Sequence, residues 1–350
     1  MITPFLARRA KHACVVSTLM IAAAVPGVQA MTLDDYLIVG KLVNDTALDV
    51  SNYELGRVSA APGSAPAVTG VGVGPTISND PTYDGNVAIV KTTGEVKLSD
   101  VNVYADRGVD CAGSYSVCSD SGSNFSNSDY DQAPGAPGLS AIGLGNGVSQ
   151  NVDLSAVTGS LATAKSSILG YGPGDITGSI STSSGDINSD QTVFLNSGLN
   201  VLDFSGLSSG TDITVKANLI FQGAADAFAV VLVPDDSLFK TSQGNLLIGN
   251  GGIGLNNVVI VSLATGNDAH FDLSNTLING VALWDIGADM GNMSLDNVSG
   301  CTQLVAGDVD IQNVRLSRCG FDATLVPVPA AAWLFGSALV GLIGWRRRFS

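Results

Sequence analysis

The sequence predicts a mainly β body, a right-handed parallel β-solenoid-like domain with one packed helix, with a β-sandwich as the alternative. Three observations carry that expectation. Glycine reaches 42 of 350 residues while charged residues make up only 13%; with abundant Ser, Asn and Asp, that composition marks many tight turns between short strands. From Gly244 onward the pattern is loosely repetitive, with apolar residues followed by an Asn or Gly turn in 244–254, 258–263, 271–284 and 293–316. Within it, residues 277–283 and 304–311 look like equivalent rungs twenty-seven positions apart, as in a coil whose turns bury apolar faces against their neighbours. Periodicity in one sequence does not decide strand pairing, so the sandwich stays open.

Residues 1–30 read as a signal peptide. Arg8, Arg9 and Lys11 form a positive start, 13–25 is apolar, and Val28-Gln29-Ala30 offers the small residues that signal peptidase reads. The apolar run is too short for a retained membrane helix. Arg8-Arg9 lacks the rest of a twin-arginine context, so the Sec translocon and signal peptidase are the expected partners.

The exported body spans 31–325. Residues 31–43 read as a strand leading into the core, and 58–76 as an Ala/Pro/Gly-rich linker or turning stretch. Alternation with period two makes 86–90 and 95–104 a pair of strands, and 106–137 is a long polar insertion. Residues 154–169 form the one convincing helix: Leu154, Val157, Leu161, Ala164, Ile168 and Leu169 share a face, Asp153 or Ser155 is placed to cap it, and Gly170 to end it. The runs 192–195, 199–204, 213–221 and 228–233 then read as short strands.

The two terminal segments hold six of the sixteen Lys and Arg and none of the thirty-one Asp and Glu, leaving the body at 10 − 31 = −21. Such a charge argues against nucleic acid and anionic membranes as partners. Cys14 belongs to the signal peptide; the other four cysteines form two local couples, Cys111 with Cys118 and Cys301 with Cys319. Nearest-in-sequence pairing is the expected disulfide pattern in an oxidising compartment. A Cys₄ zinc site is disfavoured, because the usual close Cys spacing is missing.

No catalytic constellation emerges. His270 is the only histidine of the body, flanked by Asp268 and Asp272, and reads as a turn or solvated residue. The stretch 249–254 matches G-x-G-x-x-G, but Asn256-Asn257 follow where a nucleotide-binding unit would open a helix, so turns explain it. Asp34-Asp35 and Asp235-Asp236 are adjacent and would face opposite ways in a strand. Trp284 is the only tryptophan of the body able to serve as a sugar platform. The one positive hint is a candidate calcium site at Asp120, Asp129 and Asp131, with Asn124 and Asn127 in the same loop; a solvated acidic loop is the plainer reading. No cofactor is expected otherwise.

The last segment, 326–350, has three parts in fixed order. Val326-Pro327-Val328-Pro329 is a rigid non-helical start, 330–345 has no charge, and Arg346-Arg347-Arg348 follows. A sixteen-residue apolar helix reaches about 24 Å, so flanking residues must help it span the ~30 Å core; the arginines would stay cytoplasmic. Val326, Pro327, Val328, Pro329, Ala330, Ala331 and Trp333, with the arginine cluster, resemble the PEP-CTERM sorting signal in its Val-Pro-x-Pro-Ala-Ala form. That resemblance implies transient membrane insertion through a transmembrane sorting helix and processing by exosortase in a Gram-negative bacterium. It further implies delivery from an inner-membrane intermediate to the cell surface or an extracellular matrix rich in exopolysaccharide.

The body is also similar to the choice-of-anchor A domain in four stretches: Tyr36-Leu37-Ile38-Val39-Gly40-Lys41-Leu42, the 154–169 helix, Val230-Val231-Leu232-Val233-Pro234, and 277–284 with 304–309. The family's glycine-rich element is present only as Gly56-Arg57-Val58-Ser59-Ala60, and the family has no catalytic residues to carry over. Together these readings describe a non-enzymatic, exported, structural protein of a biofilm or matrix. The alternatives are a secreted polysaccharide-acting enzyme and an adhesin binding a carbohydrate or another surface.

Overall fold

The computed structural model describes residues 33–45, 54–56, 84–97, 102–105, 107–113, 129–131, 148–171, 174–205, 207–249, 252–254, 257–263, 270–284 and 291–318. The chain forms two units, residues 1–30 and Met31–Ser350, and every described residue belongs to the second. The predicted signal peptide, the 58–76 stretch and the sorting tail lie outside the described residues.

Short β-rich runs broken by Gly, Asn and Asp fold into short strands. A turn of 3-10 helix at Leu33–Asp35 leads to β1 (Ile38–Gly40), β2 (Leu42–Asp45) and β3 (Glu54–Leu55). The next coil holds β4 (Val87–Ile89), β5 (Glu95–Lys97) and β6 (Asn102–Tyr104), followed by β7 (Val109–Cys111), β8 (Asp129–Asp131) and β9 (Val148–Ser149). The helix α1 (Ser155–Leu169) comes next. Beyond it lie β10 (Gly178–Ile180), β11 (Asp186–Ile187) and β12 (Gln191–Phe194), then β13 (Gly198–Phe204), β14 (Ile213–Val215) and β15 (Leu219–Gln222). The following coil is β16 (Ala227–Val233), β17 (Phe239–Thr241) and β18 (Leu246–Ile248). The last strands are β19 (Val258–Ser262), β20 (His270–Leu283), β21 (Asn292–Val305), β22 (Asp308–Gln312) and β23 (Arg315–Ser317).

Every strand ladder among these elements is parallel, so the chain is a β-solenoid and the sandwich alternative falls. Three faces stack along the coil. Face A runs through β13, β16, β19 and the end of β20; face B through β14, β17 and the start of β20; face C through β12, β15, β18 and the middle of β20. The stack does not follow chain order. β1 sits between β21 and β4, β2 between β22 and β5, and β3 between β23 and β6. The first strands of the body therefore close onto the last, and α1 returns along face A.

Face A is buried on both sides. In β16, Ala229, Val231 and Val233 point into the coil, while Phe228, Val230 and Leu232 pack with Ile168 at the end of α1. Val157 and Leu161, nearer its start, pack with Tyr36, Val39, Ala88 and Val305. One helix thus splints strands from both ends of the body. Inside, aromatic rings form a column, with centroids 6.1 Å apart for Phe204–Phe239, 5.5 Å for Phe239–Phe271 and 4.4 Å for Phe271–Trp284. The open end at β10–β12 is blunted: the Gln191 side chain donates to Ser181 O and accepts from Ser181 N, both at 3.0 Å, which limits edge pairing.

Several expectations need correction. The rungs read as equivalent are not partners: Leu277 pairs with Ser299 and Leu304 with Ala282, because β20 and β21 stack about twenty-two residues apart, not twenty-seven. The 31–43 and 213–221 runs each split into two strands around a corner, at Lys41 and at 216–218. The 86–90 and 95–104 strands do not pair with each other but lie on three faces. The polar insertion contributes β7 and β8 to the coil. The helix starts without a side-chain cap on Leu154, although Asp153 Oδ1 accepts from Ser155 N at 3.0 Å. Gly170 ends it with right-handed backbone, φ −74, not the left-handed turn expected of a terminal glycine.

Candidate functional site

A corner residue with left-handed backbone turns face B into face C at the same level of three successive coils: Asn275, Asn297 and Asn313, with φ 52, 55 and 52. Asparagine tolerates this conformation better than most side chains. Identical corners keep the strands before them in step. Phe271, Leu273, Met293, Leu295, Val309 and Ile311 all point inward, each at most 2% exposed. Their neighbours in the alternation point out.

Those outward residues form a grid three strands wide. His270 aligns with Asn292 and Asp308, Asp272 with Ser294 and Asp310, and Ser274 with Asp296 and Gln312. Rows are spaced ~4.8 Å along the coil and columns ~6.7 Å along a strand. All nine side chains are half-buried or exposed. The middle row continues below through Lys240, Thr214 and Asp186, and above through the register positions of Asn44 and Lys97.

Charge divides this face. In the lower part Lys216 pairs with Asp186, and Lys240 Nζ lies 4.0 Å from Asp212 Oδ2. Half-burial pushes the Asp272 carboxyl above its ordinary range, while His270 and Lys240 pull it down. The upper part carries Asp296, Asp308 and Asp310 with no Lys or Arg in the grid. Such a grid offers carboxylate and carbonyl acceptors, with amide and hydroxyl donors, at fixed spacing; its chemistry is hydrogen bonding to a flat polar surface.

Comparison with known proteins adds only distant structural likenesses. No family model matches the chain, and no curated protein matches it. Among solved structures, a glycosylated ice-binding protein (LeIBP) from an Arctic yeast is 12% identical, with 85% of this chain and 94% of that one covered and a TM-score of 0.42. An ice-binding protein from the Antarctic ascomycete Antarctomyces psychrotrophicus is 10% identical over 81% of this chain and 95% of that one, TM-score 0.40. No residue role or ligand is carried over from either.

The residues singled out in the sequence are not brought together. His270 starts β20 at the edge of the grid, beside Asn292 rather than a nucleophile. Within the G-x-G-x-x-G stretch Gly252 has φ 95, and the next element after it is strand β19, not an α-helix. Asp235 and Asp236 occupy another corner, with Asp236 N donating to Asp235 Oδ1 at 3.1 Å. Trp284 is 1% exposed within the aromatic column, so it is no sugar platform. Asp129 and Asp131 belong to β8, and Asp120 lies outside the described residues. No group of three or more His, Cys, Asp or Glu among the described residues is arranged to hold a metal ion. Cys111 is buried, and Cys301 is buried and disulfide-bonded; the expected partners Cys118 and Cys319 lie outside the described residues.

The grid was missed in the sequence. Polar residues at every second position of Asn292–Asp296 and 308–312 were a readable signal, but their alignment across strands was not.

Proposed function

We propose that the chain is an exported, exosortase-processed structural protein of a bacterial surface or extracellular matrix, and that the upper part of face B is its contact with exopolysaccharide. The aligned grid of Asp, Asn, Ser and Gln on β20–β22 is the observation that carries the contact. Sugar hydroxyls both donate and accept, which suits amide and carboxylate groups held on a rigid scaffold. Negative charge on this face favours a neutral, hydroxyl-rich glycan and repels polyanionic strands. The reading takes the coil as right-handed, the hand of nearly all parallel crossovers. It takes 1–30 as the signal peptide, and 326–350 as the sorting signal that holds the protein at the inner membrane until processing.

The test is cosedimentation of purified protein with matrix polysaccharide from the producing cells. The triple variant Asp296→Asn, Asp308→Asn, Asp310→Asn should bind measurably differently while melting like the parent. Equal binding by the variant would move the contact elsewhere, and new reducing ends would favour the polysaccharide-acting enzyme. Export is tested by fractionating cells with and without exosortase; residues 330–350 retained in both would leave a plain membrane anchor.

A further inference from the structure

The blunting of the coil's open end stops short of β12. Ser183 N donates to Asp186 O at 2.8 Å and Asp186 N to Ser183 O at 3.0 Å, so β11 closes its own edge. The Gln191 side chain does the same for Ser181. Along β12, Gln191 N donates to Asn218 O and Leu195 N to Gln222 O, both at 2.8 Å. In a parallel ladder a residue turns its N–H and C=O toward one neighbour, and the next residue turns both toward the other. Gln191, Val193 and Leu195 therefore face β15, while Thr192 and Phe194 turn their backbone groups off the end of the coil. Among the described residues β15 is the one strand in register with β12.

The side chains alternate as well. Val193 packs against the core, whereas Thr192 is exposed. Phe194, at 76%, is the one exposed large apolar side chain among the described residues. Charge around this edge has one sign. Residues 174–226 hold six Asp and one Lys, 1 − 6 = −5, and that Lys216 is paired with Asp186. Asp190 stands just before β12, and Asp226 accepts from Ser197 just past it; both are exposed.

We propose that β12 is a docking edge for a cationic, extended segment of another protein, added to face C as one further strand. Backbone pairing with Thr192 and Phe194 supplies the ladder, and an apolar side chain on the outer side meets Phe194. Lys or Arg at either end of the segment meets Asp190 and Asp226. A second copy brings the same negative end and is repelled. The edge lies apart from the polar grid of face B, so loss of either contact leaves the other intact.

The probe is a fluorescein-labelled peptide, four alternating Thr and Val between two pairs of Lys, titrated against the full chain by anisotropy. Replacing its Lys with Glu should weaken binding by about tenfold or more, and so should N-methylation of its central amides. Thr192→Pro blocks the edge yet costs the coil no hydrogen bond, because that N–H faces outward. It should weaken binding about tenfold while melting like the parent. No binding by the parent would overturn the docking edge. Equal binding by Thr192→Pro or by the N-methylated peptide would reveal charge attraction alone and overturn it too. A parent dimer that Thr192→Pro abolishes would give the edge to a second copy, overturning the cationic partner.

Discussion

Asn297 donates its side-chain amide to Asn275 Oδ1 at 2.7 Å, and both residues hold left-handed backbone, with φ 55 and 52. One residue type thus meets two needs of the corner, the rare conformation and a bond to the coil below. Asn297→Gly should keep the backbone and lose only the bond, costing about 0.5–1.5 kcal/mol. Asn297→Val should cost more, because a β-branched residue is a poor occupant of that region. Urea titration of both variants checks the order; a tolerated valine would show that the corner is not strained.

Glycine makes the opposite comparison possible. At Gly300, φ 143, an added Cβ would stand 1.9 Å from Ile278 O, whereas at Gly159 on the outer side of α1 it would meet nothing within 4 Å. Gly300→Ala is expected to destabilise by roughly 3 kcal/mol or more, and Gly159→Ala to stabilise by roughly 0.5–1 kcal/mol. Thermal melts of the two variants should shift in opposite directions.

Ile38 lies early in the body yet is fully buried, paired with Leu304 on one side and Val87 on the other. Ile38→Ala should cost about 2–5 kcal/mol, as for any well-packed core position. Hydrogen exchange should show β1 and β21 opening together. A freely fraying β1, with β21 still protected, would contradict the closure seen here.

Tyr36 Oη donates to Asp110 Oδ2 at 2.7 Å, and Arg107 Nε donates to the same oxygen at 2.9 Å. Burial first, then the Asp110 charge, raise the Tyr36 phenol well above its ordinary 10.0. The raised folded value means the unfolded chain loses its proton first. Stability from this group is therefore complete below about pH 10 and lost as pH rises beyond it. Tyr36→Phe should cost about 1–3 kcal/mol at neutral pH and flatten the alkaline slope. Denaturant titrations on either side of pH 10 measure both.

What the sequence determined by itself was local. The 154–169 helix was readable because an apolar stripe needs only neighbours three and four apart, and structure begins it one residue later, at Ser155. The short strands around 199–204, 228–233 and 258–263 were readable from apolar runs between turn residues, and the repeating turns pointed to a coil. Tertiary structure decided the register and the order of stacking. Gln303 Nε2 donates to Leu33 O, 270 positions away, at 2.7 Å, and no local pattern foretells which parallel strands meet. Corner lengths vary from coil to coil, so rungs drift out of any fixed period; that drift put Leu304 beside Ala282 rather than opposite a rung twenty-seven residues back. The same long-range pairing assembled the polar grid of face B from three stretches that look unremarkable one at a time.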